Sequence, residues 1–384
     1  MNKTIINWII FIFLICIGFW RTLLGGIGTF NWDYPIFLDG IWRVTQGQIP
    51  HIDFSTPIGP VTFFIGYLGS QFSDLSIHSF DYGTIFLYLI VTFFSYYLSR
   101  LYMNDFSSIL FTLLVGSYLI TPRIIGYPFY FLGYTSYYNF VGYIFVFLIV
   151  IDVIFGRKFH INQSWSGVYA GFLTVLSFFT KITFGLGALV FVMIRLFLPD
   201  SNRNWWLGYI FGFILCFFCF FYYFNFDLKT VIQDYLIIIN ASGGEKNVII
   251  HLIDLIQGTV VPMLTYPENL ILALLPILST CIFIYFIYID SIKRNDNFNF
   301  LIFIIFLALL GIALMITVNQ PPEFIIGSLI AVLFFNWLSV KKRFLNKNSL
   351  SFAKYLSLSI VLIAVLNNFL SLPLGTYKIA FMNQ

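Results

Sequence analysis

Gly59-Pro60-Val61-Thr62-Phe63-Phe64-Ile65-Gly66-Tyr67-Leu68-Gly69-Ser70-Gln71-Phe72 is an apolar run whose length decides the topology of the chain. As a helix rising about 1.5 Å per residue it would measure roughly 21 Å, short of a hydrocarbon core of about 30 Å. It is therefore read as a helix lying in, or dipping into, the outer interface. Charge supports that reading. With this run left out of the count and the N-terminus inside, Arg157-Lys158, Lys293-Arg294 and Lys341-Lys342-Arg343 all fall on the cytoplasmic side. Asp33, Asp39, Asp53, Asp227, Asp234 and Glu268 fall outside. If the run crossed the membrane, every later loop would change sides and the basic loops would face out, against the positive-inside bias.

Composition points the same way. The 384 residues are 60% apolar, 21% aromatic and 9% charged. A soluble domain carries about 25% charged residues and could not cover its surface with so few. The solvent of this chain is expected to be lipid. Apolar stretches at 4–24, 82–101, 106–121, 139–156, 165–180, 184–198, 205–224, 268–290, 298–317, 322–340 and 351–371 predict an all-α polytopic membrane protein of about eleven transmembrane helices. The whole chain, 1–384, reads as one integral membrane domain. It comprises a first extracytoplasmic loop at 25–81, core helices at 82–200 and C-terminal transmembrane helices at 201–384. Met1-Asn2-Lys3 ahead of the first run reads as a retained signal anchor, placing the chain in the cell's inner or plasma membrane with its N-terminus cytoplasmic. A net charge of +4, dispersed along the chain, argues against nucleic acid as a partner. Cys16, Cys216, Cys219 and Cys281 all lie in apolar runs, where Cys216-x-x-Cys219 is a packing feature and not a redox pair.

The inner loops are short and basic. The outer ones, at about 25–81, 122–138 and 225–267, are long, and long loops on a compact scaffold carry function. The first is the richest: Asn31-Trp32-Asp33-Tyr34-Pro35-Ile36-Phe37-Leu38-Asp39-Gly40-Ile41-Trp42-Arg43, then Gln46-Gly47-Gln48-Ile49-Pro50-His51-Ile52-Asp53-Phe54. Residues 35–46 predict a short interfacial helix with Ile36, Phe37, Ile41 and Val44 facing lipid or protein. Asp39 and Arg43, four apart on that helix, predict a local ion pair. Asp33 precedes the helix and Asp53 follows it. A returning loop could bring these two candidate catalytic carboxylates together, and a carboxylate within hydrogen-bond reach of a hydroxyl can act as its base. His51 and Arg43 are candidate substrate-positioning groups beside them, although a solvated loop histidine is the commoner situation.

Residues 165–198, read as one helix, would measure roughly 51 Å, too long for a single span. Two short helices fit better, with Lys181 in the turn between them. An ammonium at that depth costs roughly 2.5–3.5 kcal/mol unless it is paired or wet, and a lipid phosphate would pair it; snorkelling to the head groups is the alternative. Arg123 in the second outer loop is a second candidate phosphate contact. No histidine or cysteine spacing suggests a zinc site. Mg²⁺ or Mn²⁺ shared by Asp33 and Asp53 is conceivable but not expected, because lysine can serve the same phosphate.

The ordered set Asp33, Trp42-Arg43-Val44, Gln46-Gly47-Gln48-Ile49-Pro50-His51-Ile52-Asp53-Phe54 and Pro57-Ile58-Gly59-Pro60 resembles the first periplasmic loop of bacterial membrane glycosyltransferases of the GT-C superfamily, family 39-like. Tyr134-Thr135-Ser136-Tyr137-Tyr138-Asn139 resembles that family's aromatic-Asn stretch, and Phe179-Thr180-Lys181-Ile182-Thr183-Phe184-Gly185 resembles its F-x-K-x-x-x-G hairpin. The likeness covers about residues 1–200, so 82–200 would be GT-C-like core helices. It implies transfer of a sugar from a polyprenyl-phosphate donor to an envelope glycan, lipid or protein at the extracytoplasmic face. Asp33 would be the catalytic loop acid and Asp53 the second. Tyr138 and Asn139 would position substrate, and no cofactor would be needed. A flippase or transporter of lipid-linked glycans, or a polysaccharide polymerase or ligase, is the rival. The former commonly shows internal repeats, which this chain lacks, and the latter commonly carries its large functional loop late.

Overall fold

The computed structural model describes residues 9–10, 12–18, 20, 33–75, 77–102, 105–120, 137–155, 163–195 and 203–243. These are helical with short connections, and no strand is found among them. We number the helices that follow the first loop's start as α1 (Asp33–Thr45), α2 (Pro60–Ser70), α3 (Ile77–Tyr102), α4 (Asp105–Ile120), α5 (Tyr137–Phe155), α6 (Gln163–Thr180), α7 (Ile182–Ile194), α8 (Arg203–Tyr223) and α9 (Leu228–Gly243). Two are long and apolar enough to cross a membrane: α3 over His78–Leu101 and α8 over Arg203–Tyr223. Shorter apolar helices run over Asp105–Ile120, Tyr137–Asp152 and Ile182–Met193. The spans expected beyond residue 243 lie outside the described residues.

The described residues form two compact units. One takes its described residues from Met1–Leu24 and Tyr88–Gly133, the other from Gly25–Leu87 and Tyr134–Leu255. In the first, Tyr88 is wholly buried and its hydroxyl donates to the Leu14 carbonyl at 3.1 Å. Gly116 of α4 lies so close to Tyr88 and Thr92 that a methyl group there would press on both. Two buried threonines in this unit fold back on their own helices, Thr92 to Tyr88 O (2.6 Å) and Thr112 to Ser108 O (2.8 Å). That is how a polar side chain is satisfied inside an apolar bundle.

The second unit carries the candidate site. Its centre is the pair α6 and α8, which approach backbone to backbone. Gly167-x-x-x-Gly171 on α6 meets Gly208-x-x-x-Gly212 on α8, and a β-carbon on Gly171 would overlap the Tyr209 carbonyl. Small residues four apart let helices close to this distance where no water drives them together. On its other side α8 exposes Leu207, Ile210, Phe211, Ile214, Leu215 and Phe218.

One end of this unit is tied by buried polar groups. Asp152, fully buried near the end of α5, accepts from Ser166 Oγ at the start of α6 and from Trp205 Nε1 (2.9 Å) at the start of α8. Arg195, just past α7, lies 3.6 Å from its carboxylate, donates to its carbonyl (3.2 Å), and stacks over the Trp205 ring at 4.3 Å. Four helix ends therefore meet on one carboxylate. At the opposite end lie the start of α5, the α6–α7 break and the α8–α9 turn.

The two helices of the first loop fall near where the sequence places them, but Asp33 lies inside the first rather than ahead of it, and the helix that follows the loop already starts at Ile77. The expected helix at 35–46 is α1, with Phe37, Ile41 and Val44 buried and Ile36 exposed. The short run at 59–72 is α2, eleven residues long. It rests mainly on protein, with Val61, Phe63 and Ile65 buried and Tyr67 and Leu68 on its open side. The expected break of 165–198 into two helices falls at Lys181, between α6 and α7. The expectation that 225–267 is a loop needs correction, because residues 228–243 form α9. Asp227 caps it, its carboxylate accepting the Thr230 N–H (3.1 Å) and hydroxyl (2.6 Å). An aspartate at the N-cap with a partner three residues on is the usual opening of a helix.

Candidate functional site

The site is assembled from three segments that are distant in sequence. The first follows α1. Gly47 (φ +81°) takes the left-handed conformation that ends the helix, and the chain then closes a tight turn over Ile49–Phe54. The Asp53 carboxylate accepts the Ile49 N–H at 2.6 Å, the Asp53 N–H returns to Ile49 O at 2.8 Å, and the His51 N–H donates to Phe54 O at 2.9 Å. Asp53 is thus the residue that shapes the turn. At the turn's apex His51 has φ +66° and is 2% exposed. Arg43 pairs with Asp39 at 2.8 Å, as the four-residue spacing predicts, and lies over the Phe54 ring at 5.3 Å.

The second segment is the α6–α7 break. Lys181 is extended (φ −163°), which removes Thr180 O from the helical ladder. That carbonyl accepts instead the N–H of Gly59, at 3.1 Å. A buried carbonyl left bare would be costly, so the break and the first loop complete each other. Only glycine fits at 59, since a β-carbon would overlap the Phe179 and Thr180 carbonyls. Lys181 Nζ lies 3.4 Å from Asn139 Oδ1 and 5.0 Å from the centre of the Tyr138 ring. The partial charge of the amide oxygen and the face of the ring both favour the cation. Phe37, one turn along α1 from Asp33, meets that same Tyr138 ring edge-on at 6.4 Å and stacks on Phe80 at 5.3 Å.

The third segment is α9. Asp234, 8% exposed, receives two bonds from the first loop: His51 Nδ1 at 2.7 Å on one carboxylate oxygen, and Ser55 Oγ on the other. The Tyr235 ring lies against the His51 ring, centres 4.3 Å apart. A carboxylate only accepts, so the bond assigns the His51 proton to Nδ1. Burial holds His51 below the usual histidine range, with the bond to Asp234 and its charge pulling the other way. That direction favours the neutral ring at neutral pH, and with the proton on Nδ1 its Nε2 is a lone-pair acceptor. Nε2 is buried, with no hydrogen-bond partner among the described residues, and so is the Tyr235 hydroxyl. Burial and the Asp234 charge push the Tyr235 phenol up, so it stays protonated.

The residues singled out from sequence thus fall as follows. Tyr138, Asn139 and Lys181 meet at the break. His51 and Asp53 belong to the Ile49–Phe54 turn, Arg43 of α1 lies over its Phe54 ring, and His51 is buried where a solvated loop residue was the commoner expectation. Asp33 is the first residue of α1, and Arg123 lies outside the described residues. Sequence reasoning missed Ser55, Asp234 and Tyr235, although the Asp227–Thr230 cap was a legible sign of the helix that carries the last two. Among the described residues no group of three or more His, Cys, Asp or Glu side chains could hold a metal ion. Comparison with protein-family models, with curated proteins and with solved structures returns no match to this chain.

Proposed function

We propose that this protein is a multi-pass membrane glycosyltransferase, GT-C-like, moving a sugar from a polyprenyl-phosphate donor to an envelope acceptor at the extracytoplasmic face. The observation that carries the reading is the bond from Gly59 N–H to Thr180 O, which brings the polar first loop onto the helix break beside Lys181. The lipid setting is supported by the composition and by the open apolar side of α8. An ammonium has three N–H donors, and one that is part-buried on a helix break at the end of an apolar unit suits a phosphate whose lipid tail remains in the bilayer. Lys181, with Arg123 as second contact, stabilises the charge that develops on the leaving phosphate. Asp33 takes the proton of the acceptor hydroxyl as its oxygen attacks the anomeric carbon from the side opposite the phosphate, so that configuration inverts. Polyprenyl phosphate is already a good leaving group, and the remaining work is positioning.

The test is mass spectrometry of envelope glycans from a deletion strain and from the same strain carrying the native protein, Asp33→Asn or Lys181→Met at matched abundance. The expected result is a glycan lacking one sugar in the deletion, restored by the native protein and by neither variant. Accumulation of complete lipid-linked glycan with no sugar missing would replace the transferase by a flippase or ligase.

A further inference from the structure

The Asp234 cluster contains two polar atoms that the proposed mechanism does not use. His51 Nε2 and the Tyr235 hydroxyl are both buried and unpartnered among the described residues, on rings 4.3 Å apart. A buried polar atom without a partner is costly, so two in one contact call for an explanation. The atoms are also complementary. With its proton committed to Asp234, His51 presents only a lone pair at Nε2, while the phenol presents a donor. A carbohydrate hydroxyl has the chemistry each lacks: its hydrogen can go to Nε2, and its oxygen can accept from the phenol. A phosphodiester does not, because it has no proton to offer the lone pair, and the Asp234 charge opposes any phosphate.

The backbone around His51 is built to hold that orientation. The residue takes a left-handed conformation at the turn apex, its N–H is fixed to Phe54 O, and its ring is fixed to Asp234, whose other oxygen is fixed by Ser55. Ser55 also opens the segment that ends at Gly59 on the Thr180 carbonyl. Four residues of extended chain span at most about 14 Å, so the His51 turn cannot be far from the Lys181 break. The two sites divide their chemistry between a cation and a neutral acceptor.

We propose that His51 Nε2 and the Tyr235 hydroxyl form a carbohydrate-hydroxyl subsite, with Asp234 and Ser55 as positioning residues that set the tautomer and aim of His51. The inference rests on the transferase reading and adds its sugar-recognition element. The Tyr235 ring lies against the imidazole, so the two groups belong to one contact. The hydroxyl belongs either to the sugar of the donor or to the acceptor.

The test uses the full-length protein in lipid nanodiscs and native mass spectrometry. The probes are undecaprenyl phosphate, a panel of undecaprenyl-phosphate hexoses, and the corresponding free methyl hexosides as acceptor mimics. The native protein is expected to bind at least one hexose-bearing lipid more tightly than the bare lipid. His51→Asn, which tolerates the left-handed turn, and Asp234→Asn, which frees the tautomer, are each expected to reduce that preference by about threefold to tenfold while leaving the bare lipid unaffected. Lys181→Met is expected to weaken both lipids together. Bare-lipid binding reports that each variant is folded. If the preference is absent for the lipids but a methyl hexoside binds in a His51-dependent way, the hydroxyl is the acceptor's. If the native protein shows no sugar preference with either source, or both variants keep it, the subsite is overturned while the transferase reading stands. If neither lipid binds and Lys181→Met changes nothing, the transferase reading falls and takes the subsite with it.

Discussion

His51 holds a backbone conformation that costs a side-chain-bearing residue about 1–2 kcal/mol, and the bonds to Phe54 and Asp234 maintain it. Its charge state makes the arrangement sensitive to pH. Burial lowers its pKa from the ordinary 6.5, against the smaller raising effect of Asp234, and the Tyr235 phenol packed on the ring is neutral. The unfolded chain therefore takes up a proton at a higher pH than the folded turn does. Well above 6.5 neither state binds it and stability is flat. Below 6.5 the unfolded state gains protons first, so stability falls with pH until the folded value is passed. Hydrogen exchange of the Ile49–Phe54 amides should accelerate between about pH 7 and pH 5 beyond its intrinsic change, and His51→Asn should abolish the excess. Gly59 supplies a second test at this scale. In Gly59→Ala the new methyl overlaps backbone, which cannot move aside as a side chain could. A loss of roughly 1–3 kcal/mol in unfolding free energy is expected, read by denaturant titration in mixed micelles.

Between elements, two contacts hold the second unit in register. The glycine faces of α6 and α8 allow backbone contact over the first half of each helix. Gly208→Leu would push α8 away from the Ser164 carbonyl and shift its far end, from which α9 and Asp234 hang. We expect lowered thermal stability and, at permissive temperature, loss of the His51–Asp234 contact, seen as a shift of the His51 ring nitrogens in ¹⁵N-histidine spectra. At the other end, Asp152→Ala leaves the Arg195 guanidinium buried without its carboxylate and removes the acceptor of Trp205 and Ser166. Breaking one partner of a buried pair costs roughly 3–5 kcal/mol, so reduced abundance and denaturant resistance are expected. Arg195→Met in the same chain should recover part of the loss by removing the orphaned charge.

For the molecule as a whole, the proposed topology sets the α8–α9 turn and the Lys181 break on the extracytoplasmic side. In a chain with its native cysteines replaced by serine, Lys229→Cys is expected to react with a membrane-impermeant maleimide added to intact cells. Asn204→Cys, at the opposite end of α8, is expected to react only after the membrane is opened. The reverse pattern would put the site in the cytoplasm and exclude the donor orientation proposed above.

Much of this was legible along the chain. Apolar content declared the lipid-like surface, run length marked α2 as too short to span, and excess length placed a break at Lys181, because these depend on local composition and helical rise alone. The Asp39–Arg43 pair followed from helical spacing. Only the tertiary structure decided what meets across the second unit. His51 and Asp234 are 183 residues apart, and nothing in the neighbourhood of either announces the other. The same holds for Gly59 and Thr180, and for the α6 and α8 glycines, each readable as a motif but silent about its partner. Spacing and composition report on a residue's own helix or turn, while a buried hydrogen bond between distant segments is set by how whole helices pack, and packing chooses among many partners of equal local merit.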